Sequence, residues 1–498
     1  MRIPLILLAS AAALALPACN SNSDPASSNQ TQLNADDVDA KSLEKQLMAA
    51  LDDAPKHGLT RDLFVKADLP AEGSARTQAL LQAASDYASA LANGKVDPAK
   101  VRDIYTLPRP KVDVRQGLVQ AIKDNKLQQW LDTLAPQTDE YRALSDAFVQ
   151  LVKRSPGLPD GEIGSGGTLK PGASDPRVPA IVANLKAQGY LQPAADSKAP
   201  AAPATNAGQQ PQAAALPTRY SGEIVKAVKQ WQADSGLKPD GIIGPDTITA
   251  LNASPRDRAR QIAVAMERLR WLDRSPPATR IDVNTAGTYL DYFRDGQHID
   301  HRKVVAGEPG KETPQIQAPM FQLVANPTWT VPHSIDEEMA AKSGSWLASN
   351  GFSRKDGQWV QDSGPKNSLG IVKFDMKDDY AIYLHDTPAK ALFGEEERHR
   401  SHGCVRVEDA MGFAHMLAQA DGIDDKFTEA MATGKETFVK LNKEIPVRLM
   451  YHTAYLGTEG RLHFVADAYD WDNDVATALG YPSKAPSKRT VKAEDVGP

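Results

Sequence analysis

Two short stretches hold the residues whose types and spacing could do chemistry: Ser401-His402-Gly403-Cys404-Val405-Arg406, and upstream of it Tyr383-Leu384-His385-Asp386-Thr387-Pro388. A thiol beside two imidazoles and a guanidinium is placed to ionise, and the thiolate is the nucleophilic form of cysteine. Attack on an acyl carbon needs a base for the thiol proton and donors for the oxyanion that follows. His385 and His402 are the candidate bases. An imidazole as near to Cys404 along an extended segment as His402 is poorly placed to face its sulfur, so His385 is the better base. Gly403 permits a tight turn, which lets amide N–H groups near the nucleophile point at developing negative charge. Arg406 could hold a carboxylate in two-pronged fashion.

Two other uses of these residues compete. A cysteine in a folded chain is often a small buried hydrophobe. His385, His399, His402 and Cys404 are also of the nitrogen and sulfur types that zinc accepts, although ligands two apart, such as His402 and Cys404, do not match the usual spacing.

Taken with their flanks, these residues resemble the L,D-transpeptidase (YkuD-type) family. Its signature is a His followed, after a gap, by Ser/Thr-His-Gly-Cys and an apolar-Arg or apolar-Asn tail. His385, Ser401, His402, Gly403, Cys404, Val405 and Arg406 fill those places. Asp386-Thr387-Pro388 stands where the common pattern has Gly or Ser, and Tyr-Leu-His-Asp-Thr-Pro looks like the large, multi-domain subclass. The resemblance implies that Cys404 attacks the third-residue carbonyl of a peptidoglycan tetrapeptide stem, releases D-Ala, and passes the acyl group to an amine on a neighbouring stem. It implies a three-to-three cross-link, backbone amides around His402 to Cys404 as oxyanion donors, no metal or other cofactor, and acylation of the cysteine by carbapenem-type inhibitors. Water as acceptor would make an L,D-carboxypeptidase, and a protein lysine would make an anchoring enzyme. A non-catalytic envelope tether is the alternative from another class.

At 498 residues the chain has room for about three domains, and its net charge of −6 argues against nucleic acid as a partner. Residues 1–19 read as a signal peptide: Arg2, an apolar run from Ile3 to Leu16, then Leu16-Pro17-Ala18-Cys19. Those four residues look like a bacterial lipobox, which implies lipidation of Cys19, a periplasmic protein held to a membrane, and, with Asn20 rather than Asp following, a tilt to the outer membrane. With Cys19 acylated, Cys404 would be an unpaired thiol in an oxidising compartment, and catalysis supplies a reason for it. The expected partners are peptidoglycan, the membrane and other cell-wall enzymes.

The elements that must position the site follow from pattern. Polar residues 20–37 form a tether. Residues 38–154 read as a helical scaffold, with apolar residues at helical spacing in Lys41–Leu51, Ala75–Ala92, Val114–Asp124 and Glu140–Val152, broken by Pro108, Pro110 and Pro136. Residues 175–252 resemble a three-helix peptidoglycan-binding module through Gly236-Leu237 to Asp240-Gly241 and Gly244-Pro245-Asp246-Thr247. An Ala, Pro and Gln-rich stretch, 192–218, interrupts it and lacks the apolar residues to fold. Residues 253–278 read as a connecting helix.

From residue 279 to 469 the period changes to that of strands, giving a mainly β, sandwich-like catalytic domain. Expected strands are Arg280–Asn284, Tyr289–Phe293, His301–Gly307, Gly370–Phe374 and Tyr380–Leu384, the last ending at His385. Pro446–Leu456 and Arg461–Tyr469 read as closing strands. Residues 333–366 interrupt the pattern as a cap, with a helix near Glu337–Asn350 and a small core of Trp346, Phe352 and Trp359. Glu408–Asp421 reads as an amphipathic helix, which gives His415 a structural place. Residues 470–498 read as a polar tail.

Overall fold

The computed structural model describes residues 38–154, 163–164, 166–191, 218–235, 237–395 and 397–484. The stretches read as a signal peptide with Cys19 and as a tether, most of the Ala/Pro/Gln-rich interruption and the end of the tail lie outside the described residues. No helix among the described residues is long and apolar enough to cross a membrane.

The scaffold contains α1 (Ala40–Asp52), α2 (Ser74–Asn93), α3 (Val114–Lys123), α4 (Leu127–Leu134) and α5 (Asp139–Arg154). Asp39 and Asp113 accept the first free N–H groups of α1 and α3, which fixes where those helices begin. Four of the five helices match the expected segments. The fourth, α4, is a short helix whose two turns give too little sequence for a period to show.

The module holds α6 (Val178–Ala187), α7 (Glu223–Asp234) and α8 (Pro245–Asn252) around its own core of Ile181, Leu185, Val228, Trp231 and Leu251. Pro245 opens α8, as its fixed φ and missing N–H favour.

The next helix, α9 (Pro255–Trp271), lies within the stretch 253–278 read as a connecting helix and is in addition built into the scaffold core. A Ser254/Asp257 capping box starts it, and from Ile262 to Trp271 every residue is buried. Ile262, Met266 and Trp271 lie in the same core as Leu43, Leu80, Leu91 and Leu144 of the scaffold. Its charged residues are buried as pairs. Glu267 meets Arg270 at 2.6 Å and accepts from Val96 N at 2.7 Å and Trp271 Nε1 at 3.0 Å. Arg270 also donates to the Tyr141 hydroxyl and the His57 carbonyl, each at 2.8 Å. A helix that polar reads as a surface connector, yet each buried charge has partners.

The catalytic domain is built on β1 (Arg280–Asn284), β2 (Tyr289–Arg294), β3 (Gln297–Gly307) and β4 (Gln317–Ala325). The cap follows: β5 (Trp329–Thr330), α10 (Asp336–Ala340), α11 (Gly344–Ser349), β6 (Phe352–Lys355) and β7 (Gln358–Gln361). The main sheet then resumes with β8 (Val372–Met376), β9 (Leu384–His385), β10 (His399–Ser401), β11 (Val405–Val407), α12 (Ala410–Asp421), α13 (Asp424–Ala432) and β12 (Thr437–Met450). Its strand order is β10-β3-β11-β9-β8-β4-β12-β1-β2, and β2 also pairs with β3. That last pairing closes eight of the strands into a ring, leaving β10 on the side of β3. The mainly β expectation is met, with closure of the sheet as the added feature. Phe413, Ala414 and Leu417 of α12 join Phe374, Tyr292 and Leu323 in its core.

The cap is a small body of its own. Its three strands pair in the order β5-β7-β6, and Trp329, Ile335, Met339, Leu347 and Phe352 make its core, with Trp346 and Trp359 packed at the edge. The single expected helix is two short ones, α10 and α11, and the Gly-rich remainder is the β6–β7 hairpin.

Two end segments differ from expectation. Only Leu462–Phe464 (β14) of the stretch 461–469 is a strand, and it pairs with β13 (Ala454–Leu456) in a separate hairpin. Leu462 and Phe464 pack against the scaffold core, which draws this segment away from the ring. Residues 470–484 are not a polar tail: α14 (Asp472–Ala478) buries Val475 and Ala476 in the scaffold core, and Asp472 pairs with Arg268 of α9 at 2.5 Å.

Candidate active site

The strands β9 and β11 are parallel neighbours, with Val405 opposite Leu384 and Arg406 opposite His385. Paired residues on adjacent strands share a face, and residues two apart along a strand do too. Continued back one residue, this register sets Cys404 level with Tyr383, two places along the strand from His385 and on the same face. The two stretches singled out in the sequence meet at one edge-to-edge contact inside the ring.

The loop into β11 is tied by side chains. The Ser401 hydroxyl donates to the Cys404 carbonyl at 2.5 Å and accepts from Gly403 N–H at 3.2 Å. Thr313 Oγ1 donates to the Gly403 carbonyl at 2.8 Å. Gly403 has φ +118°, a conformation that a side chain would strain, and it breaks the strand alternation between β10 and β11. Ser401 thus has a definite place, as the clamp of the nucleophile loop. It also engages the Gly403 N–H, so that amide is not among the groups open to an oxyanion in this state.

Cys404 is 6% exposed. Its thiol donates to the Ala381 carbonyl at 3.7 Å. Burial pushes the thiol up to about 11, against the opposing pull of hydrogen bonds from Tyr383. Burial thus favours the neutral thiol over the expected thiolate, outweighing the nearby donors.

His385 is fully buried, and its Nδ1 lies 2.5 Å from the Asp386 carbonyl oxygen. A carbonyl oxygen only accepts, so Nδ1 carries the proton, and in the neutral ring the lone pair would be on Nε2. The tautomer is the one a general base requires. The Asp386 carboxylate has other work: it accepts from Ile371 N at 3.1 Å and pairs with Lys390. Position 386 contributes through its backbone.

His402 is directed elsewhere. Its Nε2 lies 3.0 Å from Glu338 Oε2 of α10, and Lys311 Nζ reaches Glu338 Oε1 at 2.5 Å. Burial raises the Glu338 carboxyl, and the hydrogen bonds from Lys311 and His402 more than offset it, holding it below the ordinary range. His399 is pinned by the Thr285 carbonyl at 2.8 Å and by Glu397. Among the described residues, His385, His399, His402 and Cys404 do not gather into a ligand group. Arg406 is fully buried in the sheet, which corrects its assignment to direct substrate contact: the guanidinium is enclosed by protein on the strand position facing His385. His415 meets Asp424 at 2.6 Å and stacks edge-on with Phe427, a structural place as expected.

Four residues without a role in the sequence reading belong to the site. Tyr383 packs against His385 and is fixed over Cys404; burial raises its phenol far above its ordinary value. Ala381 holds the thiol with a positive φ of 56°, uncommon for a residue with a side chain. Asp378 prepares that turn by accepting from Tyr380 and Ile382 N–H groups. Glu338 is the fourth, and no local signal in a cap helix marks it.

Comparison with known proteins agrees with the layout. Residues 278–431 match the L,D-transpeptidase catalytic domain (YkuD), residues 33–148 a scaffold domain, and residues 174–251 the domain described as "Putative peptidoglycan binding domain". A Haemophilus influenzae protein described as "Putative L,D-transpeptidase" is 30% identical over 223 residues, 40% of this chain and 45% of that protein. The chain thus spans about half the length of the curated relative it matches. Similar solved structures include an Enterococcus faecium L,D-transpeptidase at 12% identity, covering 35% of this chain and 50% of that one with a TM-score of 0.19. One from Mycobacterium smegmatis stands at 11%, 35%, 58% and 0.20 in the same terms. The chain therefore carries an L,D-transpeptidase catalytic domain of the YkuD family, joined to a scaffold domain and a peptidoglycan-binding domain.

Proposed function

We propose that this chain is a cysteine-dependent L,D-transpeptidase that acts on peptidoglycan tetrapeptide stems and forms three-to-three cross-links through a thioester on Cys404. The observation that carries the reading is the register of β9 and β11, which puts Cys404 and His385 on one face of neighbouring strands, with the His385 Nδ1 proton donated to the Asp386 carbonyl. His385 Nε2 takes the thiol proton as sulfur attacks the carbonyl between diaminopimelate and D-Ala. The carbonyl π electrons move to oxygen, and the oxyanion accepts hydrogen bonds from the backbone N–H groups of His402 and Cys404. Collapse of this intermediate breaks the C–N bond, and the imidazolium returns its proton to the departing D-Ala amine. His385 next deprotonates the acceptor amine, which attacks the thioester and restores the thiol.

Burial of the thiol suits this sequence. A neutral resting sulfur is protected from adventitious alkylation, and its basicity when ionised makes it a strong nucleophile. The cap supports an ordered acceptor site, which favours a stem amine over water. Lipidation of Cys19 and attachment to a bacterial membrane, with the outer membrane favoured, complete the proposal, and the binding module would hold the enzyme to its substrate.

Incubation of the purified chain with disaccharide tetrapeptides, followed by mass analysis, tests the reading. Cross-linked dimers are the expected product. Tripeptides alone would make the activity carboxypeptidase, transfer only to protein lysines would make it anchoring, and unchanged substrate would leave a non-catalytic tether.

A further inference from the structure

A cluster away from the thiol has no part in that chemistry. On the β2–β3 hairpin, Asp291 Oδ1 lies 2.7 Å from His298 Nε2 and 2.8 Å from His301 Nδ1. The three ligand-type atoms all lie within 4.8 Å of one another, and they are the one such group among the described residues.

The strand geometry brings them together deliberately. Asp291 is directly opposite His301 in the antiparallel register. In an unbroken strand His298, three residues from His301, would face the other side of the sheet. The register shifts between Tyr292 and Phe293: Tyr292 pairs with Asp300, Phe293 pairs with His298, and Ile299 is left over as a bulge. One extra residue inverts the alternation, so both imidazoles reach the same carboxylate. The Asp295-Gly296 turn, with φ of +52° and +82°, fixes the hairpin that holds this register. The cost is an exposed Ile299 and a lost ladder position, at the seam where the ring of strands closes.

We infer that Asp291, His298 and His301 form a binding site for a divalent transition metal of the zinc type. Two imidazole nitrogens and one carboxylate oxygen are a donor set that zinc accepts, with water free to fill a fourth, open position. Zinc–donor distances of about 2.0–2.2 Å place donors roughly 3.2–3.5 Å apart, so insertion needs each present contact to open by about half an ångström. Both imidazoles are partly exposed and can make that adjustment. To coordinate, each ring would give up the proton it now donates to Asp291, leaving that nitrogen's lone pair for the metal and a proton on the other nitrogen. The group lies at the rim of a cavity of about 740 Å³, where Tyr289 packs on His301 and Glu459 adds negative charge nearby. A bound metal would pin β2 to β3 across the seam.

The test is zinc stoichiometry by equilibrium dialysis and metal analysis on the untagged, chelator-treated full chain. Cys404→Ala serves as the background, because it removes the other soft ligand. One equivalent of zinc is expected in Cys404→Ala, and its loss in Cys404→Ala carrying His298→Ala and His301→Ala. Asp291→Asn, which keeps shape and removes charge, should weaken binding by at least about tenfold. With Cys404 intact, the His298→Ala/His301→Ala variant should still be acylated by a carbapenem, which reports that it folds. Less than one equivalent in the Cys404→Ala chain, or zinc retained without the two histidines, would overturn the inference.

Discussion

Glu338 of the cap and His402 of the nucleophile loop meet at 3.0 Å, two residues before Cys404. The same carboxylate pairs with Lys311, from the segment that supports Gly403 through Thr313. The cap is thereby latched to the loop that carries the sulfur by one half-exposed side chain. Glu338→Gln removes the charge and keeps the shape. Pairs of this exposure stabilise by about 0.5–1 kcal/mol, so amide exchange in α10 and α11 should quicken roughly 2- to 5-fold, with the ring strands unchanged. Unaltered exchange in the cap would show that its own core holds it shut.

The buried thiol gives a second expectation. The fully folded chain should show alkylation of Cys404 by iodoacetamide that keeps rising through pH 9 and 10, towards the folded value of about 11. Because folding favours the protonated thiol, stability from this group is complete below the ordinary thiol value of 9.0 and is lost as pH rises to about 11. A reactivity plateau below pH 8 would mean a standing thiolate–imidazolium pair.

The charge cluster inside α9 is a third. Glu267 is fully buried and satisfies Arg270, Trp271 and Val96 together. Removing one partner of such a set strands the other charge, so Glu267→Ala should cost about 3–5 kcal/mol in urea unfolding. A loss below about 1 kcal/mol would show that the scaffold does not depend on this helix.

Acid behaviour depends on opposed groups. Burial lowers His57 to about 4 and His452 to about 3, so both stabilise above pH 6.5 and that contribution drains away as pH falls. Burial raises Glu140 to about 7 and Asp467 to about 6, and these strengthen the fold as pH falls through the same range. The two sets nearly cancel between pH 6.5 and 4.5, and stability should drop only below that. His57→Gln removes one side of the balance. Relative to wild type it should gain about 2 kcal/mol on going from pH 7 to pH 5, read from urea midpoints. Equal pH profiles would show that His57 titrates normally.

Much of this was legible in the sequence because it was local. The helices of the scaffold, β1, and the pairing of His385 with the Cys404 motif announce themselves by period or by adjacency. What escaped was set by distant packing. α9 buries Arg268 and Arg270, which its sequence reading as a connecting helix did not foresee, against the carboxylates of Asp472 and Glu267. The central strand β4, Gln317–Ala325, contains Pro319 and a mixed pattern, so nothing in it signals its place between β8 and β12. In the site, type and spacing singled out Cys404 and His385, which the fold brings onto neighbouring strands. The ionisation of the thiol could not be read from them, since it depends on how deeply the fold encloses it. Nor could the oxygen that orients His385, a main-chain carbonyl of Asp386 and not its carboxylate.

The most direct measurement is the intact mass of the purified chain during turnover of a disaccharide tetrapeptide, with peptide mapping of any adduct. The account predicts an adduct equal to the donor less D-Ala, located on Cys404, absent in Cys404→Ala, and slow to form in His385→Gln. Cross-linked product from Cys404→Ala, or an acyl group mapped to any other residue, would contradict it.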